Sequence, residues 1–226
     1  MVGGRKCLRC VHKLEMYKKQ CGNEGKMSRK SEIGYFVGKK IRMLRMESEL
    51  GAGKAMMADL RRGIGHEPGE LPQLFGIILL DMPQEFMGKR GIATKEEWSC
   101  YTALTLFALH QQGFDLKNRP MHVKEDISMG RALSEMAKTY EDSNAEKRSL
   151  QKLQAFATSV DMGEASYHLK SMIQLLRSKG IPIDYEMLAA DLYEFQSADG
   201  KNRVNLRWGQ DFYLEKNRKE IREDMS

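Results

Sequence analysis

Residues 94–112 read TKEEWSCYTALTLFALHQQ, and this stretch decides the fold class. Thr94 is a helix N-cap, and Glu97 three positions on completes a capping box, in which each side chain accepts the other residue's backbone N–H. The spacing predicts a helix reaching about Gln112, apolar on nearly every side from Cys100 to Leu109. A helix with no polar face has no stable place at a surface, so it belongs at the centre of a bundle. Trp98 and Tyr101, one turn apart at its start, read as core aromatics.

Helices are predicted on both sides of it. Upstream, Ile33, Phe36, Val37, Lys40, Ile41 and Leu44 follow three-and-four spacing from Ser31 onward, and glycines 51 and 53 break the run. A shorter helix, Lys54 to Arg61, enters the loop RRGIGHEPG, and LPQLFGIILLDMP (residues 71–83) reads as another helix. Downstream, residues 113–127 (GFDLKNRPMHVKEDI) lose the periodicity around Pro120 and mark a boundary. Beyond it come a helix from Ser128 to Tyr140, a capping box of Ser143 with Glu146, and another of Asp161 with Glu164 on a helix that stops at Gly180. Asp184 caps a helix through Phe195, the Ala198–Asp199–Gly200 turn ends it, and a last helix aligns Val204, Trp208 and Phe212. No segment alternates as a strand does. The chain reads as all-α, with two small helical-bundle domains at 31–118 and 126–226 after a basic, flexible arm at 1–30.

With 226 residues, 41% hydrophobic and 30% charged, the chain can bury a core and is not a disordered polymer. The sixteen methionines mostly take helical core positions, as adaptable filler. No window of about eighteen apolar residues is free of charge, and no apolar leader opens the chain, so a cytoplasmic protein without a membrane anchor is expected. The formal net charge of +6 is concentrated: residues 1–30 carry nine Lys or Arg against Glu15 and Glu24, while the rest is near neutral. Cys7, Cys10 and Cys21, with His12, resemble half of a zinc site, but His12 follows Cys10 too closely to complete a tetrahedral shell, and an unligated arm is expected. Cys100 reads as a buried small hydrophobe. Phosphate-loop, dinucleotide and zinc-protease motifs are missing from the sequence, and the histidines are scattered. His168 and Glu164 read as a surface helix pair. Neither an enzyme nor a cofactor is expected.

The cations are more organised. Arg61 and Arg62 end a helix at a glycine loop, and Arg131 sits near the start of its helix. Lys147, Arg148 and Lys152 fall on the polar side of one helix, Lys170 and Arg177 two turns apart on the next, and Arg203 and Arg207 one turn apart on the last. Each could be a solvated face or an ion pair; together they suit a binder of phosphate backbones that reads no base sequence.

Six segments in order carry a resemblance: DLRRGIG (59–65), ALTLFALHQ (103–111), SMGRAL (128–133), YHLKSMIQLLRSKG (167–180), IDYEMLAADLYEFQ (183–196) and NLRWGQDFY (205–213). Residues 31–214 thereby resemble the small subunit of the type I-E CRISPR surveillance complex Cascade, the CasB family. The resemblance implies a two-domain, all-helical, non-catalytic subunit present as two head-to-tail copies. Its partners would be the backbone subunits that coat the guide RNA, the large subunit, the crRNA and the target DNA, with a basic face holding the displaced non-target strand. The positions matching that role are Arg61, Arg62, Arg131, Arg148, Lys170 and Arg207, expected to be exposed on one positive surface; Trp208 and Asp211–Phe212–Tyr213 match the closing helix. Residues 1–30 match nothing in the family. The rival reading is a helical scaffold that binds proteins alone.

Overall fold

The computed structural model describes residues 27–48, 51–140 and 144–223. Among them it has nine α-helices and no strand: α1 (Arg29–Ser48), α2 (Ala52–Arg62), α3 (Phe75–Ile78), α4 (Lys95–His110), α5 (Met129–Lys138), α6 (Ala145–Thr158), α7 (Met162–Lys179), α8 (Tyr185–Phe195) and α9 (Ala198–Glu223). Residues 1–26, with Cys7, Cys10, His12 and Cys21, lie outside the described residues. The first helix among the described residues begins at Arg29, so the last two residues assigned to the arm belong to α1: Arg29 pairs with Glu32 and Glu96 and lies over the Phe86 ring.

Central placement of α4 follows from its composition. Every residue from Ser99 to His110 is buried, and α1, α2, α7 and α8 all pack on it. The Thr94–Glu97 capping box is formed in both directions. Polar groups that such a helix buries need internal partners. Ser99 donates to the Lys95 carbonyl, Thr105 to that of Tyr101, and the Tyr101 hydroxyl to that of Gly63. Burial lowers the His110 pKa to about 3, so the ring is neutral. The Tyr185 hydroxyl donates to the Leu106 carbonyl, which leaves His110 Nδ1 as the donor to the Tyr185 oxygen at 3.1 Å.

The segment 113–127 is a loop, anchored by one buried glutamine. The Gln111 amide donates to the carbonyls of Phe114 and Arg119 and accepts from the Met121 N–H. The hydrophobic cluster nevertheless runs unbroken from Ile33 to Phe212, because α4 packs on α7 and α8, and α1 lies along α8.

Two local readings are corrected. The run 71–83 is not one helix: a 3-10 turn at Pro72–Leu74, the single turn of α3 and a 3-10 turn at Gln84–Phe86 form a strap. Pro72, Pro83 and a left-handed Asp81 (φ 58°) interrupt the ladder, while Leu74, Ile77, Ile78, Met82 and Phe86 still reach the core. Lys40, buried in α1, ties the strap down by donating to the Leu80 carbonyl; burial lowers its pKa. The capping box read at Ser143 and Glu146 falls on Ser143, which lies outside the described residues. Asp199 and Gly200 do not form a turn but the first turn of α9.

Gly130, inside SMGRAL, allows α5 and α9 to touch. A Cβ there would stand 1.9 Å from the Trp208 carbonyl oxygen, a backbone atom that cannot rotate away. Gly130→Ala should force the helices apart and lower stability by about 1–3 kcal/mol, read as a shift in denaturant midpoint. A midpoint equal to wild type would contradict that contact.

Candidate nucleic-acid interface

The cations singled out in the sequence divide into two groups. One group pairs with carboxylates of the same chain, although the Arg62 and Arg203 side chains stay 70% and 60% exposed. Arg62 pairs with Asp59 at 2.9 Å within α2, and Arg131 on α5 pairs with Glu215 on α9 at 3.2 Å. Arg203 and Arg207 both turn toward α8: Arg203 meets Glu194 at 2.7 Å, and Arg207 meets Asp191 at 2.6 Å and Glu194 at 3.3 Å. Lys30 of α1 joins the same carboxylates, at 2.5 Å from Glu194 and 3.6 Å from Asp191, and Trp208 Nε1 donates to Asp191 at 2.8 Å. The expectation of an exposed guanidinium fails at Arg207, whose side chain is 29% exposed and whose Nε is buried.

Burial explains the network. Asp191 sits among Leu188, Ala189, Ala190 and Leu192 on an apolar helix, and a carboxylate there must be paired or hydrogen-bonded. Burial raises its pKa, against the pull of Trp208, Arg207 and Lys30. At Glu194 burial also acts upward, but Arg203, Lys30 and Arg207 outweigh it and hold the pKa down to about 2. This cluster locks α1, α8 and α9 together.

The second group lies on α6 and α7. Ala145, Ser149, Leu153 and Phe156 form the buried line of α6, which puts Arg148 and Lys152, one turn apart, on one flank and Lys147 on the outer surface. That flank faces α7, since Lys152 Nζ donates to Ser171 Oγ at 2.6 Å. On α7 the buried line is Ala165, Leu169, Met172, Ile173 and Leu176, so Ser171, Gln174 and Ser178 lie on the outer face. Lys170 and Arg177 edge the opposite flank, toward α4, where Arg177 donates to Gln112 Oε1 at 2.6 Å. Arg148 and Lys152 thus line one side of an uncharged hydrogen-bonding strip, and Lys170 and Arg177 line the other. The carboxylate of Glu164 at the N-terminal end of the strip is occupied by the Val160 N–H and faces His168 at 3.8 Å. Arg61 at the end of α2 is half-buried and belongs to neither group. The sequence reading passed over Tyr167, which opens YHLKSMIQLLRSKG and lies 71% exposed on the same outer face. Its signal was an aromatic residue on the polar side of an amphipathic helix.

Among the described residues no group of three or more His, Cys, Asp and Glu could hold a metal ion. An apolar pocket of about 180 Å³ lies between the strap and α4, but its polar groups serve the fold. Glu97 accepts from the Thr94 and Gly88 N–H groups, and Tyr101 is bound to Gly63.

The family model of the CRISPR-associated protein Cse2 matches residues 56–213, most of the bundle including α6 and α7. The chain belongs to the Cse2 family. Among solved structures it is similar to CasB from Thermobifida fusca, with 28% identity and a TM-score of 0.63 over 80% of this chain and 97% of that one. A Cse2-family CRISPR-associated protein from Thermus thermophilus, at 20% identity and a TM-score of 0.55 over 83% and 99% of the two chains, shares the fold. No curated protein matches. Among the described residues no helix of this Cse2-family chain is long and apolar enough to cross a membrane.

Proposed function

We propose that this Cse2-family chain is the non-catalytic small subunit of a type I-E Cascade complex in the cytoplasm, and that its α6–α7 face holds the displaced non-target strand beside the crRNA–DNA heteroduplex. The observation that carries the reading is the placement of Lys152 on one side, and of Lys170 with Arg177 on the other, of Ser171, Gln174 and Ser178. Opening duplex DNA against a guide is close to balanced, so contacts that hold the displaced strand shift the equilibrium. Backbone contacts carry no sequence code, which suits a system whose guides change. Arg131 and Arg207 take the structural part, since each is held against a carboxylate of another helix.

Protein neighbours have a surface of their own. Leu206, Tyr213 and Leu214 are exposed on the outer side of α9, away from the buried line of Val204, Trp208 and Phe212, and suit contacts with a second copy, the backbone subunits or the large subunit. The two readings separate in a complex reassembled with Lys152→Ala and Lys170→Ala. It should assemble normally, while its displaced strand becomes more reactive to single-strand probes than in wild type. Unchanged reactivity would favour the scaffold.

A further inference from the structure

Tyr167 is a large aromatic side chain left in water on a helix whose other face is packed. Its exposure is 71%, and the next side chain, His168, meets its ring edge-on at 5.4 Å and 74°. Helical geometry sets Ser171 one turn further along α7 and Gln174 two turns further on the outer face, with Lys170 one turn along on the flank toward α4. Lys152 reaches Ser171 from the other side. The ring therefore stands at the N-terminal end of the strip, with a cation on each flank one turn away.

Isolated exposed aromatics are common, but one placed within a phosphate-binding strip meets the requirements of single-strand recognition. Cations follow the backbone, and an aromatic ring offers a flat surface to a base that has lost its complement. A duplex would leave the ring idle, because its bases already stack on one another. Past the ring the strip offers hydroxyl and amide groups, and the carboxylate at its N-terminal end, Glu164, is held by the Val160 N–H and faces His168.

We infer that Tyr167 stacks an unpaired base of the strand held on the α6–α7 face; the inference rests on the functional reading above. The stack tolerates any base, because every base has a π-face. It adds affinity for single strands over duplexes without adding sequence preference. It also fixes where the strand lies, with phosphates over Lys152 and Lys170 and a base turned onto α7.

The test uses the full-length chain and two labelled oligonucleotides of equal length, oligo-dT and an abasic strand with the same number of phosphates. Tyr167→Ala should weaken oligo-dT binding roughly tenfold and leave the dependence of log affinity on log salt unchanged. Tyr167→Phe should bind as wild type does, and Tyr167→Leu should resemble Ala. On the abasic strand Tyr167→Ala should match wild type. Wild-type binding of oligo-dT by Tyr167→Ala, or an equal loss on the abasic strand, would overturn the stack. Lys152→Ala with Lys170→Ala separates the two ideas. If that variant weakens both oligonucleotides while Tyr167→Ala weakens neither, the stack alone falls; if it weakens neither, the functional reading falls with it.

Discussion

Replacing Asp191 with Ala is expected to lower the free energy of unfolding by about 3–5 kcal/mol, the cost of removing one member of a buried charge network. The Asp191 side chain is 2% exposed and serves three donors: Arg207, Trp208 Nε1 and, at longer range, Lys30. Without it the Trp208 N–H loses its partner, and Arg207, whose Nε already lacks one, keeps only Glu194. Trp208 cannot turn away, because its ring stacks on Phe156 at 4.7 Å and its carbonyl touches Gly130. Asp191→Asn keeps the volume and one acceptor oxygen, and should cost less, about 1–3 kcal/mol. Its amide nitrogen would then face either the Trp208 N–H or Arg207. Denaturant titration reads both variants, with the slope m unchanged if the unfolded state is unaffected. A loss below about 1 kcal/mol for Asp191→Ala would mean that water enters the cluster and that Arg207 is free for an outside partner.

The same cluster shows how far the sequence could be read. Elements whose signals are local were legible: the Thr94–Glu97 box, Asp161 bound by the Glu164 N–H, Asp184 capping α8, and Gly180 ending α7 in the left-handed conformation. Such signals need only the residues within one turn of a helix end. Asp191 carried a signal too, a carboxylate on an apolar helix, but its partners come from α1 and α9 and depend on packing. Arg207 therefore looked like a solvated cation one turn from Arg203, and only the fold turns both toward Glu194. The strap at 71–83 failed for a related reason. Its apolar count was read correctly, but packing against α2 and α4 satisfies those side chains without a continuous helix. At the candidate interface each helix's polar side was legible; that the flank of Arg148 and Lys152 meets the face of α7 bearing Ser171 was not, because it is a tertiary contact.

The second large effect is electrostatic. Changing Arg148, Lys152, Lys170 and Arg177 together to Ala should weaken binding to single-stranded DNA about equally for every sequence. The slope of log affinity against log salt should fall by up to about 0.7 for each lost contact, because each phosphate neutralised by a cation releases condensed counterion. With four contacts, raising salt from ~50 to ~200 mM should cost the wild type roughly fiftyfold more affinity than the variant. The fold should survive: these side chains lie at the surface, and the bonds of Lys152 to Ser171 and Arg177 to Gln112 are ordinary hydrogen bonds to uncharged side chains. Substitutions of that kind usually stay within about 0.5 kcal/mol each. Arg131, Arg203 and Arg207 changed to Ala supply the opposite pattern, a lower unfolding midpoint with the salt slope retained, since their charges bind Glu215, Glu194 and Asp191. If the second set flattened the slope and the first did not, the nucleic-acid face would lie on α9 rather than on α6 and α7. A preference for one DNA sequence in either variant would point to base-edge hydrogen bonds from groups such as Gln174 rather than to backbone contacts.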